Sequence, residues 1–206
     1  LISSGDAQVR LALIECLGSL GERRAVEPLS HFFVYPGEEI QAAAGAALRQ
    51  LLGDEYDEQQ LVALAKVAQE KWEELVRIGL PSLEPLAAVL QDREMTEYQT
   101  ARRHHAAIAI GRIGGERALE LLLAERRDPQ PRVRDGMLAG LGELGDPNTI
   151  DIVRPFLADR DPRVRRAAVQ ALGKLHAKTA AEEIGLLYRD EDEAVRSAVV
   201  DVLGTL

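Results

Sequence analysis

One phrase recurs four times on a grid of 31 residues, and it constrains the fold more than any other feature. The copies run Val9-Arg10 through Leu17-Gly18, Val133-Arg134 through Leu141-Gly142, Val164-Arg165 through Leu172-Gly173, and Val195-Arg196 through Leu203-Gly204. Two degraded copies share the grid, at Ile40-Gln41 through Leu48-Arg49 and Arg102-Arg103 through Ile110-Gly111. A unit of this length is one supersecondary piece that cannot bury its apolar face alone, so neighbours must stack. We therefore expect a solenoid, an architecture used for binding more often than for catalysis.

The stretch 161–175 shows how one unit is built. Asp161 is suited to cap a helix, because its carboxylate accepts the unpaired amides of a first turn. Pro162 follows where a missing N–H costs nothing. Val164, Ala168, Ala171, Leu172 and Leu175 then recur at spacings of three and four, the stripe of an amphipathic helix. Asp6 and Asp192 hold the matching cap position elsewhere. Breaks at Leu20-Gly21 and at Leu144-Gly145-Asp146-Pro147 precede second helices, expected over Ala25 to Phe33 and Asn148 to Leu157. Each unit thus reads as a short helical hairpin.

With 46% hydrophobic but only 4% aromatic residues, the core must be built from Leu, Val, Ile and Ala. No run approaches the roughly 18–20 apolar residues of a membrane span, and no signal peptide opens the chain. The single Cys16 shares a column with Ala47, Ala109, Gly140, Ala171 and Val202, so we expect a buried small residue there. No intrachain disulfide is possible, which fits a reducing, cytoplasmic location.

The run Asp161-Pro162-Arg163-Val164-Arg165-Arg166-Ala167-Ala168-Val169-Gln170-Ala171-Leu172-Gly173 resembles HEAT repeats of the phycobilisome-lyase HEAT-like subclass. Arg24-Ala25-Val26-Glu27-Pro28-Leu29 and the stretch Ile78 to Leu86 carry the same likeness. The resemblance covers nearly the whole chain. It implies an all-α fold, a right-handed α-α superhelical solenoid of HEAT-like hairpins, with residues 1–206 as a single array. It further implies that the Val-Arg helices line the concave face, and that their arginines form a ladder with aspartates in the turns. Arg10, Arg103, Arg134, Arg165 and Arg196 hold the arginine position, and Asp128, Asp159 and Asp190 recur five residues before the Val column. The ladder competes with a second reading, a row of anion-binding arginines. Functions in the family range from bilin-attaching enzymes to scaffolds.

Residues 53–101 depart from the pattern. Asp57 to Ile78 has no internal breaker and reads as one long helix. Gln91 to Thr100 is a polar insertion of the kind that lies on loops. His105 falls in a column otherwise held by Ala12, Ala43, Gly136, Ala167 and Ala198, on the side packed against a neighbouring repeat, where an imidazole must either push that repeat away or point into a groove. His104 falls in the outward column of Leu11, Ala42, Asp135, Arg166 and Ser197. Adjacent histidines on a helix diverge by about 100°, whereas a shared metal needs a spacing of four. Trp72, Tyr35, Tyr56 and Tyr98 all lie in the irregular half, and Trp72 is expected in the core of the long helix. There is no Gly-rich phosphate loop, no His-Glu-x-x-His, no Cys pair and no Gly-x-Ser-x-Gly. We expect no catalytic residue, no metal ligand and no cofactor.

Charge is uneven. Residues 1–100 hold 8 basic and 17 acidic side chains, residues 101–189 hold 16 and 12, and residues 190–206 hold 1 and 5. A mildly basic middle in an acidic chain is a weak nucleic-acid signature, since affinity there comes from neutralising phosphates. We expect a protein partner, an acidic or helical segment, on the outward columns of the Val-Arg helices. These are His104, Ile108 and Arg112; Arg132, Asp135 and Glu143; and Arg163, Arg166, Gln170 and Lys174. The rival readings are a bilin-chromophore lyase or chaperone, and nucleic-acid binding through the basic middle. The chain opens inside a unit at Leu1-Ile2 and closes at Leu206 without a polar capping repeat, so it reads as a fragment of a longer protein.

Overall fold

The computed structural model describes residues 4–33, 35, 37–53, 56–93 and 95–206. Among these residues every regular element is helical. The fold is an all-α solenoid of paired helices. The first helices of the units are α1 (Ser4–Ser19) and, after α2 (Val26–Phe33), α3 (Glu38–Leu52). They continue, after α4 (Glu58–Ala68), with α5 (Trp72–Ile78) and, after α6 (Leu83–Gln91), with α7 (Glu97–Ile113). After α8 (Glu116–Ala124) comes α9 (Pro131–Leu144), after α10 (Ile150–Val153) comes α11 (Pro162–Lys174), and after α12 (Ala181–Leu186) comes α13 (Glu193–Leu203). The expected second helix at Asn148 to Leu157 is α10 flanked by 3-10 turns, at Pro147–Thr149 and Arg154–Ala158.

The chain divides into two compact units, Leu1–Pro85 and Leu86–Leu206. In the first, α3 packs on α1 and α2, and α4 packs on α2 and α5. Ile14, Leu29, Leu48 and Leu61 are fully buried at its centre. In the second, α7, α9, α11 and α13 lie side by side in one layer, with α8 behind α7 and α9, and the 154–158 turn behind α11. Leu122, Val133, Met137, Leu138, Leu141, Val164 and Leu172 fill the space between the layers.

Local chemistry sets the helix limits. Asp57 and Gln60 form a reciprocal capping box, each side chain accepting the other's backbone amide at 2.8 and 2.9 Å. Thr96 accepts Gln99 N–H at the start of α7, Asp161 accepts Arg163 N–H before α11, and Asp192 accepts the amides of Ala194 and Val195. Asp6 lies within α1 rather than at its cap. Gly145 ends α9 at φ 71°, a left-handed conformation that glycine reaches without a Cβ clash.

Three expectations are corrected. The long helix over 57–78 is two helices, α4 and α5, because Glu70 takes φ 56° and reverses the chain before Trp72. No Gly or Pro announces that break, but the repeat grid does, since its next unit start falls at position 71. Trp72 accordingly sits half-buried in the first turn of α5. The polar stretch 91–100 is not all loop, since α7 begins at Glu97. Cys16 is exposed. Its column is covered in later units by the preceding first helix, and none precedes α1 among the described residues.

The closest approach joins α7 and α9. A Cβ built on Gly111 would meet the Gly140 carbonyl oxygen at 2.1 Å, so only glycine fits. Packing of the layer rests on such small residues and on the buried leucine column. Leu172→Ala is expected to cost about 2–5 kcal/mol, because Leu172 is fully buried. Chemical denaturation of the variant checks this.

Candidate functional site

The turns before α9, α11 and α13 are alike. In each, an aspartate side chain accepts the amide two residues on: Asp128 from Gln130 at 2.8 Å, Asp159 from Asp161 at 2.9 Å, and Asp190 from Asp192 at 2.9 Å. This local bond fixes the carboxylate toward the neighbouring helix. Arg134 then grips Asp159 with two parallel bonds, Nε to Oδ2 at 3.0 Å and Nη2 to Oδ1 at 2.8 Å. Its Nη1 donates to the carbonyls of Asp128 and Pro129. Arg165 repeats the arrangement on Asp190, at 2.7 and 2.8 Å, and on the carbonyls of Asp159 and Arg160. Arg196 donates to the carbonyls of Asp190 and Glu191. One guanidinium thus ties its own turn to the next. Lysine could not, because it lacks the planar fork.

The two outlying members differ. Arg103 donates through Nη2 to Asp128 at 2.5 Å and to Glu125 at 2.6 Å, and through Nε to the Leu90 carbonyl. Glu125 replaces the apolar Phe156 and Leu187 of later units and is buried. The extra carboxylate is met by Arg93, which binds Glu125 and Asp128 at 2.9 Å from the connection between α6 and α7. Arg93 and Met95 line a cleft of about 340 Å³ with Arg127 and Gln130. Arg10 reaches, 25 residues on, not an aspartate but the ring of Tyr35, at 4.5 Å.

The outward columns form a charged face on α7, α9 and α11. His104 is half-buried, its Nδ1 3.1 Å from the Arg132 carbonyl and 3.7 Å from Asp135 Oδ2. His105 is exposed, with Nδ1 2.9 Å from the Ala101 carbonyl. The expected placement of the two histidines is therefore reversed. The flank of α7 that meets α9 carries His104, whose Cα would lie 2.7 Å from a Cβ on Gly136. Burial pushes the His104 imidazole below its usual range, against the pull of Asp135 and the Arg132 carbonyl. Burial also raises the Asp135 carboxyl, against His104, Arg166, Arg163 and Arg132. Lys174 is paired with Glu143 at 2.6 Å. Arg163 is exposed, 3.8 Å from Asp161, while Ile108 and Arg166 are half-buried and Arg112 and Gln170 exposed. Among the described residues no three His, Cys, Asp or Glu side chains gather as a metal site requires. None of the described helices is long and apolar enough to cross a membrane.

A family model described as HEAT repeats matches residues 1–84 and 119–204. The chain belongs to the HEAT-repeat family. A model described as the PBS lyase HEAT-like repeat matches residues 102–124 of this HEAT protein, most of α7 together with α8. No curated protein matches. Among solved structures, human deoxyhypusine hydroxylase in complex with glycerol is similar, with TM-score 0.50 and 20% identity over 99% of this chain and 81% of that one. At that identity the likeness concerns the fold alone.

Two carboxylates make opposite predictions. Hydrogen bonds from Arg165 hold Asp190 below the usual carboxylate range, against the effect of burial. A depressed pKa stabilises the fold above the unfolded value and the benefit is lost as pH falls through the folded one. Asp190→Asn is expected to lower the melting temperature at neutral pH, with the gap closing below about pH 4. Burial raises the Asp135 carboxyl, so folding penalises its ionised form and its contribution to stability weakens as pH rises through the folded value. Asp135→Asn is expected to leave the melting temperature unchanged or to increase it. Thermal melts from about pH 3 to about pH 7 separate the two.

Proposed function

We propose that this HEAT-repeat chain is a non-catalytic scaffold that holds an acidic protein segment on the α7, α9 and α11 face. The observation that carries the reading is the charge around Asp135. Arg132, Arg163 and Arg166 act on this single carboxylate, and burial disfavours the charged form of His104. Lys174 is neutralised by Glu143, so the cationic excess lies with the three arginines. None of them belongs to the ladder that ties turn to turn. Stacked helices present such columns as a surface on which an extended or helical segment can lie. The match to the PBS lyase HEAT-like repeat spans less than one full helix pair and supports repeat shape, not bilin chemistry.

Complementary potentials accelerate association and are screened by salt. A fluorescein-labelled, glutamate-rich helical peptide is the probe, and anisotropy the readout. Arg163→Glu combined with Arg166→Glu is expected to weaken binding by at least about tenfold while the helical melt is retained. Raising ionic strength should weaken the wild-type chain in the same direction. Unchanged affinity in the double variant would move the binding surface to residues 91–105 or to the second helices.

A further inference from the structure

A glycine marks the flank that a first helix turns to its successor. A Cβ on Gly18 would come within 3.1 Å of Ala47, one on Gly142 within 3.2 Å of Ala171, and one on Gly173 within 2.8 Å of Val202. In α3 the same column holds Arg49, and no helix closes on it. The next first helix, α5, is 7 residues long and packs on α4 rather than on α3. The bulk of Arg49 and the shortness of α5 thus leave one flank of α3 open.

A cleft of about 540 Å³ lies along that flank, bounded by α2, α3 and α4. Its apolar part is formed by Phe33, Val62 and the backbone at Gly45, where a Cβ would meet the Phe33 ring at 3.0 Å. Phe33 and Val62 are half-buried, and Ala42 is exposed beside them. The charged part is exposed: Glu38 in the first turn of α3, Glu58 in the first turn of α4, and Arg49 in the last turn of α3. Among the described residues none of these three has an ion-pair partner. Two carboxylates against one guanidinium leave the rim acidic, within a stretch, 1–100, that holds 17 acidic and 8 basic side chains.

We propose that this cleft holds a basic amphipathic helix of a protein partner, laid along the flank of α3 that α5 leaves open. An apolar side chain of that helix rests on Phe33 and Val62, and its cationic side chains meet Glu38 and Glu58, as in other helix-in-groove contacts. Arg49 disfavours a further cation at its end of the cleft and so biases the direction of the bound helix. The site takes the opposite charge to the arginine face on α7, α9 and α11, and it stands independently of that face.

The probe is a fluorescein-labelled amphipathic helical peptide of lysine and leucine, read by anisotropy against the full chain. It is expected to bind, and a lysine–serine peptide of equal charge to bind at least about tenfold more weakly. Glu38→Gln with Glu58→Gln should weaken the lysine–leucine peptide by at least about tenfold, with the helical melt retained. Ala42→Trp, which fills the cleft from its exposed edge and keeps both carboxylates, should weaken it as strongly. Arg163→Glu with Arg166→Glu should not weaken it, which separates this site from the arginine face. No binding of the lysine–leucine peptide, equal binding of the two peptides, or unchanged affinity in either cleft variant would overturn the proposal.

Discussion

The stacking of the second unit hangs on one interaction, a guanidinium that ties the carbonyls of its own turn to the carboxylate of the next. Arg134 joins the 128–129 turn to Asp159, and Arg165 joins the 159–160 turn to Asp190, so the series is continuous. Desolvating such pairs costs about as much as their attraction returns, whereas removing one partner leaves an unpaired charge. The ladder is therefore better understood as a gauge of spacing and angle than as the main source of stability. That source is the apolar layer between the two rows of helices, built from Leu138, Leu141, Val164 and Leu172.

The gauge tolerates substitutions that preserve its electrostatics. Where Glu125 adds a buried negative charge, Arg93 adds a positive one, and the cluster of Arg93, Arg103, Glu125 and Asp128 is neutral. These pairs tie Arg93, in a stretch that polarity alone would assign to a loop, to the turn before α9. Where Asp is replaced by Tyr35, the ring face takes over as acceptor for Arg10. Each change gives the arginine a partner by another route.

Much of the fold was legible because the repeat period, the Asp-Pro caps and the apolar stripe agree with one another. The repeated phrase is lost within 53–101, yet the column position at 71 falls beside the start of α5 at Trp72, although Glu70 carries no breaker chemistry. What periodicity could not show is which flank of a helix has a neighbour. Cys16 and His105 fall in columns that are packed in the middle of a stack, yet both are exposed because burial depends on the adjacent helix, not on the residue. His104 went the other way, covered because Gly136 lets α9 close over its backbone. Arg93 was missed for a related reason. Its partners lie 32 and 35 residues away, and only the unusual glutamate at 125, in a column of Phe and Leu, hinted at a missing cation.

Stacking columns and outward columns answer to different constraints. A ladder arginine must satisfy two turns at once, so its chemistry is fixed by the fold. Positions 104, 135 and 166 hold His, Asp and Arg in successive units, and none of the three is a rung of the ladder. Burial disfavours the ionised form of Asp135 while three arginines favour it, a balance that no stacking contact requires. A fold that repeats itself while this column varies separates shape from recognition, and function in such folds resides in the grafted site. The arginines around Asp135 are thus where chemistry specific to this chain is concentrated. The ladder ties the turns before α9, α11 and α13 to one another, so the spacing of those helices does not depend on which residues stand in this column.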